Sequence, residues 1–150
     1  ETTDIINQKI DMAFASHLTP VICIGEDRQM SVDDAVVVAI GQVDELLAHR
    51  PQSSLPSVIF AWEPQWAIGA PEPASDDYIR DVCKALRLHL HKEYGPQCQV
   101  IYGGSAGPGL LSRLWPDVDG IFLGRFAHKP QAFAAIIEEA QKIIRSHTEN

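Results

Sequence analysis

Four short apolar runs constrain this chain more than any other feature. They are VICIG at 21–25, SVIFAW at 57–62, QVIYGG at 99–104 and GIFLG at 120–124. Each is rich in β-branched or aromatic residues, and each stops at a glycine or just before an acid. Apolar residues at helical spacing fill the stretches between them. Strands joined by helical crossovers predict a parallel sheet with right-handed connections. Runs that are apolar without alternation predict strands buried on both faces, and Cys23 is accordingly expected in the core.

The intervening helices carry their own start and stop signals. Thr2 or Thr3 caps a first helix bearing Ile6, Ile10, Ala13 and Phe14. Ser31, with Asp34 three positions on, resembles a capping box. It opens a helix whose stripe is Ala35, Ala39, Val43 and Leu46 and which stops near Arg50-Pro51. Ser75 caps a third helix with Ile79, Val82, Cys83, Leu86 and Leu90 on one face, ended by Gly95-Pro96. LLSRLW forms a short fourth helix. Pro130 opens a last one through Arg145, with Phe133, Ile136, Ile137, Ala140 and Ile144 apolar. His89 and His91 fall on opposite sides of the third helix and are expected to face solvent.

Composition removes several function classes. A formal net charge of -8 disfavours nucleic acid and anionic membranes as partners. No run of about 18 apolar residues is present to span a bilayer. The N-terminal ETTDIINQKIDMAF has no basic stretch followed by an apolar one, so no secretory leader is expected. Cys23, Cys83 and Cys98 are odd in number and lack metal-ligand spacing, which fits reduced thiols in the cytoplasm and implies neither metal nor cofactor. At 150 residues, 45% of them hydrophobic, the chain reads as one domain.

Two architectures satisfy this alternation: an open doubly wound sheet and a (β/α) barrel. ICIGEDRQ has a single glycine where a dinucleotide turn needs several, which weakens the first. In both, chemistry sits at the carboxyl ends of the strands. Those ends read Gly25-Glu26, Glu63-Pro64, Gly103-Gly104-Ser105 and Gly124-Arg125. YGGSAGPG sets glycines and a hydroxyl just before a short helix, and FLGRF repeats the logic, so both are candidate anion sites. Glu63 adds a carboxylate at the same mouth. A base beside a phosphate site suits proton abstraction next to the carbonyl of a small sugar phosphate.

The stretches AWEPQWAIG, IYGGS and DVDGIFLG…KP, with VICIGE before them, strongly resemble the triosephosphate isomerase family. The resemblance runs in order from about residue 4 to residue 140 and covers the second half of that enzyme. It implies an α/β fold: strands five to eight of a TIM (β/α)8 barrel of about 250 residues, as a single partial barrel domain over 1–150. It implies that Glu63 is the catalytic base. Pro64, Gln65 and Trp66 match the first hinge of a mobile lid, and Gly69 a lid amide on the phosphate. Ser105, Gly124 and Arg125 match further phosphate contacts. By resemblance the intact barrel is a cytoplasmic homodimer of glycolysis and gluconeogenesis, interconverting glyceraldehyde 3-phosphate and dihydroxyacetone phosphate without metal or cofactor.

The family's lysine after its first strand and histidine after its fourth have no counterpart in these residues. The chain alone is therefore expected to be inactive and to need a second copy or the missing N-terminal half-barrel. The lid tip GAPEPAS replaces a glycine-threonine-glycine tip, and Arg125 replaces the second glycine of a phosphate-binding pair. Both departures point to a paralogue acting on a related sugar phosphate, such as a four-carbon ketose phosphate. A non-catalytic half-barrel is the alternative from another class. Plainer readings apply nearby: Ser105 as a helix cap, His128 as a polar loop residue, and Glu26 as an organiser of neighbouring loops.

Overall fold

The computed structural model describes residues 1–149. Its strands are β1 (Val21–Ile24), β2 (Val58–Trp62), β3 (Cys98–Tyr102) and β4 (Gly120–Ile121). Its helices are α1 (Thr3–Ala15), α2 (Val32–Leu47), α3 (Asp76–Glu93), α4 (Leu110–Leu114) and α5 (Pro130–Thr148). Short 3-10 turns occupy Gln52–Ser54, Gln65–Ala67 and Arg125–His128. All strand pairs are parallel and the order is β1-β2-β3-β4. Sequential order with right-handed crossovers puts the helices on one face of the sheet. This is half of a (β/α)8 barrel.

The helix starts follow the expected chemistry. Thr2 Oγ1 accepts from the Ile5 amide, Ser31 Oγ from Asp34 and Ser75 Oγ from Tyr78. Asp33 and Asp34 in α2 and Asp76 and Asp77 in α3 set negative charge at the positive helix end. The core lies between the sheet and α2 and α3, with Val43, Leu47, Phe60, Val82, Leu86 and Val100 at its centre.

Four expectations need correction. β1 is buried on one face only: Ile22 and Ile24 point to the helices, while Val21 (46% exposed) and Cys23 point away. No second layer covers that face here, because in a barrel it is the inner one. β4 holds only Gly120–Ile121 in place of 120–124, though Phe122 continues the ladder with one bond to Tyr102 O at 2.8 Å. Of the α5 stripe, Ile136 is buried, whereas Phe133, Ile137 and Ile144 are exposed. His89 does not face water freely: its Nε2 meets Asp44 Oδ1 at 2.8 Å, and Tyr94 donates to the same oxygen at 2.6 Å. His91 is exposed, with Nε2 at 3.1 Å from Cys98 O.

Ile5, Met12, Leu18 and Val21 at one end of the chain, and Phe122, Phe133, Ile137 and Ile144 at the other, are exposed apolar residues. They belong to the elements next to the two unpaired sheet edges.

Candidate active site

Glu63 is the first residue past β2, and the sheet fixes its backbone from both sides. Its amide donates to Ile24 O at 2.9 Å, and the Gly103 amide donates to Trp62 O at 2.8 Å. Glycines flank it. A Cβ on Gly25 would fall 1.8 Å from Glu63 O, and one on Gly103 would fall 3.3 Å from Glu63 Cβ. The absence of side chains at these two glycines lets the neighbouring strand ends approach Glu63 closely. The Glu63 carboxyl has no hydrogen-bond partner among the described residues. Burial alone pushes its pKa above the ordinary 4.5.

A cavity of about 380 Å³ opens above it. Glu63, Pro64, Gly69, Ser105, Gly124 and Arg125 all line this space, so the topology gathers these six candidate residues around one pocket. Gln65 and Trp66 do not line it. Ser105 is exposed and caps no helix; its hydroxyl and the Arg125 guanidinium have no partner among the described residues. Among the described residues, the charged side chains on the pocket wall are Glu63 and Arg125.

Gln65 and Trp66 instead tie the segment after β2 to the structure behind it. The Gln65 amide donates to Glu26 O at 2.9 Å. Glu26 is 1% exposed, yet it is fully partnered. It accepts from Trp62 Nε1 at 3.2 Å, Trp66 Nε1 at 2.9 Å and Tyr78 OH at 2.8 Å. One carboxylate thus binds the strand, the lid hinge and α3. Glu26→Ala strips three indole and phenol donors of their acceptor. We expect it to cost about 3 kcal/mol or more in urea unfolding, since each buried unpaired donor costs about 1–3 kcal/mol. A cost under about 1 kcal/mol would mean that water replaces the carboxylate.

Sequence reasoning did not foresee three wall residues. Cys23 enters the pocket because its face of β1 is uncovered. Tyr102 lies against Gly104, where a Cβ would sit 2.1 Å from its hydroxyl; burial, then the Glu63 charge, pushes the phenol up to about 12. Phe126 packs over Gly107, where a Cβ would fall 3.1 Å from Phe126 Cε2. The repeated glycines of YGGSAGPG were the available signal: they mark close approach as well as anion binding. The Gly109 and Ser112 amides at the start of α4, candidates for anion binding in the sequence, are taken up by Glu139. Among the described residues no cluster of His, Cys, Asp or Glu is arranged to hold a metal, and no helix is long and apolar enough to cross a membrane.

Comparison with known proteins agrees with this geometry. A family model described as triosephosphate isomerase matches residues 1–140. The chain is 46% identical over 142 residues to an L-erythrulose-1-phosphate isomerase of Pectobacterium atrosepticum, covering 93% of this chain and 55% of that protein. It is 35% identical over 147 residues to a probable triosephosphate isomerase 2 of Listeria monocytogenes, covering 95% of this chain and 58% of the relative. A triosephosphate isomerase of Streptococcus agalactiae is 34% identical over 145 residues. The chain spans little more than half the length of these relatives. With the family match running over nearly all of its residues, the chain belongs to the triosephosphate isomerase family.

Proposed function

We propose that this chain is the base-bearing half of an aldose–ketose phosphate isomerase and that the complete barrel prefers a four-carbon ketose phosphate. The observation that carries the reaction class is the unpartnered Glu63 carboxylate in a pocket whose wall also holds Ser105, Gly124 and Arg125. Glu63 removes a proton from the carbon beside the carbonyl, and the electron pair passes to the carbonyl oxygen to give an enediolate. The proton of the neighbouring hydroxyl moves to that oxygen, and the carboxylic acid returns its own proton to the former carbonyl carbon, so that the carbonyl re-forms one carbon along. Bonds and electrons balance within the substrate, so no external redox partner enters. The phosphate binds across Gly69, Ser105 and Gly124, with Arg125 adding a charge-assisted contact. Pro64, Gln65 and Trp66 hinge the lid, which excludes water from the enediolate.

Among the described residues no group besides Glu63 and Arg125 brings a charge to the pocket wall, and the inner face of β1 is uncovered. The activity therefore belongs to a closed barrel, cytoplasmic and dimeric as in the family, with this chain as its partial domain. The higher identity to the erythrulose-phosphate enzyme, 46% against 35%, favours the four-carbon substrate over the triose. So does the Pro71-Glu72-Pro73 tip, since Pro71 has no amide to bind the substrate.

The test compares kcat/KM on glyceraldehyde 3-phosphate with that on a tetrulose phosphate in the complete enzyme. We expect the tetrulose to lead by about tenfold or more, the range that one extra carbon centre commands. A triose value near about 10⁸ M⁻¹s⁻¹ with no tetrulose turnover would leave an ordinary triose enzyme.

A further inference from the structure

The loop between β3 and α4 carries Ser105 and lacks an anchor of its own at its far end. The N-cap of α4 is Gly109, at φ 93°, and no side chain of the loop caps the helix. The cap comes from α5, 30 residues along the chain. Glu139 Oε2 accepts from the Gly109 amide at 2.7 Å. Its Oε1 accepts from the Ser112 amide at 2.7 Å and from Ser112 Oγ at 2.8 Å. Both carboxylate oxygens are engaged, and the α4 terminus is filled from within the protein.

The same loop is held at its middle. Phe126, which follows the Gly124-Arg125 pair, packs tightly over Gly107, where a Cβ would fall 3.1 Å from its ring and push it aside. Pro108 stiffens the step between these two fixed points. At its near end the Gly103 amide is bonded to Trp62 O. Ser105 therefore sits on a short span pinned at 103, 107 and 109. α5 holds one pin directly, and the segment leading into α5 holds another.

We infer that Glu139 is a positioning residue for the phosphate cradle: by capping α4 from α5 it fixes the Gly103–Gly109 loop so that Ser105 and the loop amides meet the substrate anion. This rests on the isomerase reading above. Burial pushes the Glu139 carboxyl up, but the bonds from Gly109 and Ser112 and the nearby Arg113 charge outweigh it, leaving the group below its ordinary value and ionised at neutral pH. Arg113 is itself oriented by Asp76 at 2.7 Å. Removing the carboxylate frees two amides and a hydroxyl at the end of the span while leaving Glu63 and the lid untouched. The loss therefore falls on phosphate binding rather than on proton transfer.

The experiment uses the complete enzyme and reads sugar-phosphate kinetics together with inhibition by inorganic phosphate. In Glu139→Ala, KM and the inhibition constant of inorganic phosphate should rise together by about tenfold, with kcat within about twofold of the parent. Glu139→Gln keeps an acceptor oxygen and should lie between. Glu138→Ala, one residue away and exposed, should match the parent. Unchanged KM and phosphate inhibition in Glu139→Ala would overturn the inference, as would a loss of folded protein with both constants retained. Failure of the isomerase reading looks different: the parent enzyme itself would neither turn over a sugar phosphate nor bind inorganic phosphate.

Discussion

In the complete barrel, Glu63→Asp lowers kcat about 10²-fold while KM changes far less. The substitution removes one methylene, so the carboxylate stops about 1 Å short of the substrate carbon, and a misplacement of that size costs about 10²-fold. The backbone cannot advance to compensate, because the Glu63 amide is bonded to Ile24 O and the next strand bonds Trp62 O. Burial holds the Glu63 carboxyl above its ordinary 4.5, and a proposed base works only when ionised. Activity is therefore expected to rise with pH through that raised value, and the acid limb of kcat/KM, which reports the free enzyme, to lie above 4.5. The stability contribution runs the other way. A carboxyl raised on folding favours the folded state at low pH, and that contribution is lost as pH climbs through the folded value. Unchanged kcat in the Asp variant would remove Glu63 from the role of base.

Gly25→Ala should be nearly as damaging without touching a reacting atom. The new methyl would lie 1.8 Å from Glu63 O and 2.7 Å from its carbonyl carbon. Gly25 cannot retreat. Gln42 Oε1 accepts from its amide at 2.9 Å, and Gln42 Nε2 and Gln65 Nε2 donate to its carbonyl at 3.1 and 3.4 Å. The ends of β1 and β2 must separate, and Glu63 moves with its strand. Overpacking of this kind costs about 1–3 kcal/mol, and the displaced base should lose about 10²-fold in kcat. Gly41→Ala is the control: nothing lies within 4 Å of its Cβ position, and alanine favours the helix it sits in. Full kcat in a folded Gly25→Ala protein would show that the strand ends tolerate the separation.

The helices and the gathering of the candidate residues at one pocket were legible because their signals are local. Ser31 and Ser75 cap helices whose first turns carry their own acids, and one continuous stretch brings β2 to Glu63 and the lid. The outward faces of Val21 and Cys23 were not legible. Whether the second face of a strand is covered depends on strands elsewhere in a barrel, and an apolar run reads the same in either case. β4 is shorter than its apolar run: it pairs with β3 through Gly120 and Ile121. His89 appeared solvent-facing on a helical wheel, but Asp44 of α2 lies opposite it. Glu139 belongs to the same class, since its partners are 27 and 30 residues away and a lone glutamate on an amphipathic helix announces nothing.

The lid holds one further consequence, which concerns disorder. Pro64, Pro71 and Pro73 each lock a backbone angle, and each also restricts the residue before it, Glu63, Ala70 and Glu72. Gly69, at φ 71°, is the sole glycine among residues 64–74. A glycine-rich lid must surrender conformational entropy each time it shuts, at about 1–2 kcal/mol for every residue it freezes. Much of that freedom is absent from residues 64–74, so the closure proposed above would be the swing of a stiff panel rather than the freezing of a slack loop, and more of the binding energy of the proposed substrate would remain to hold its intermediate.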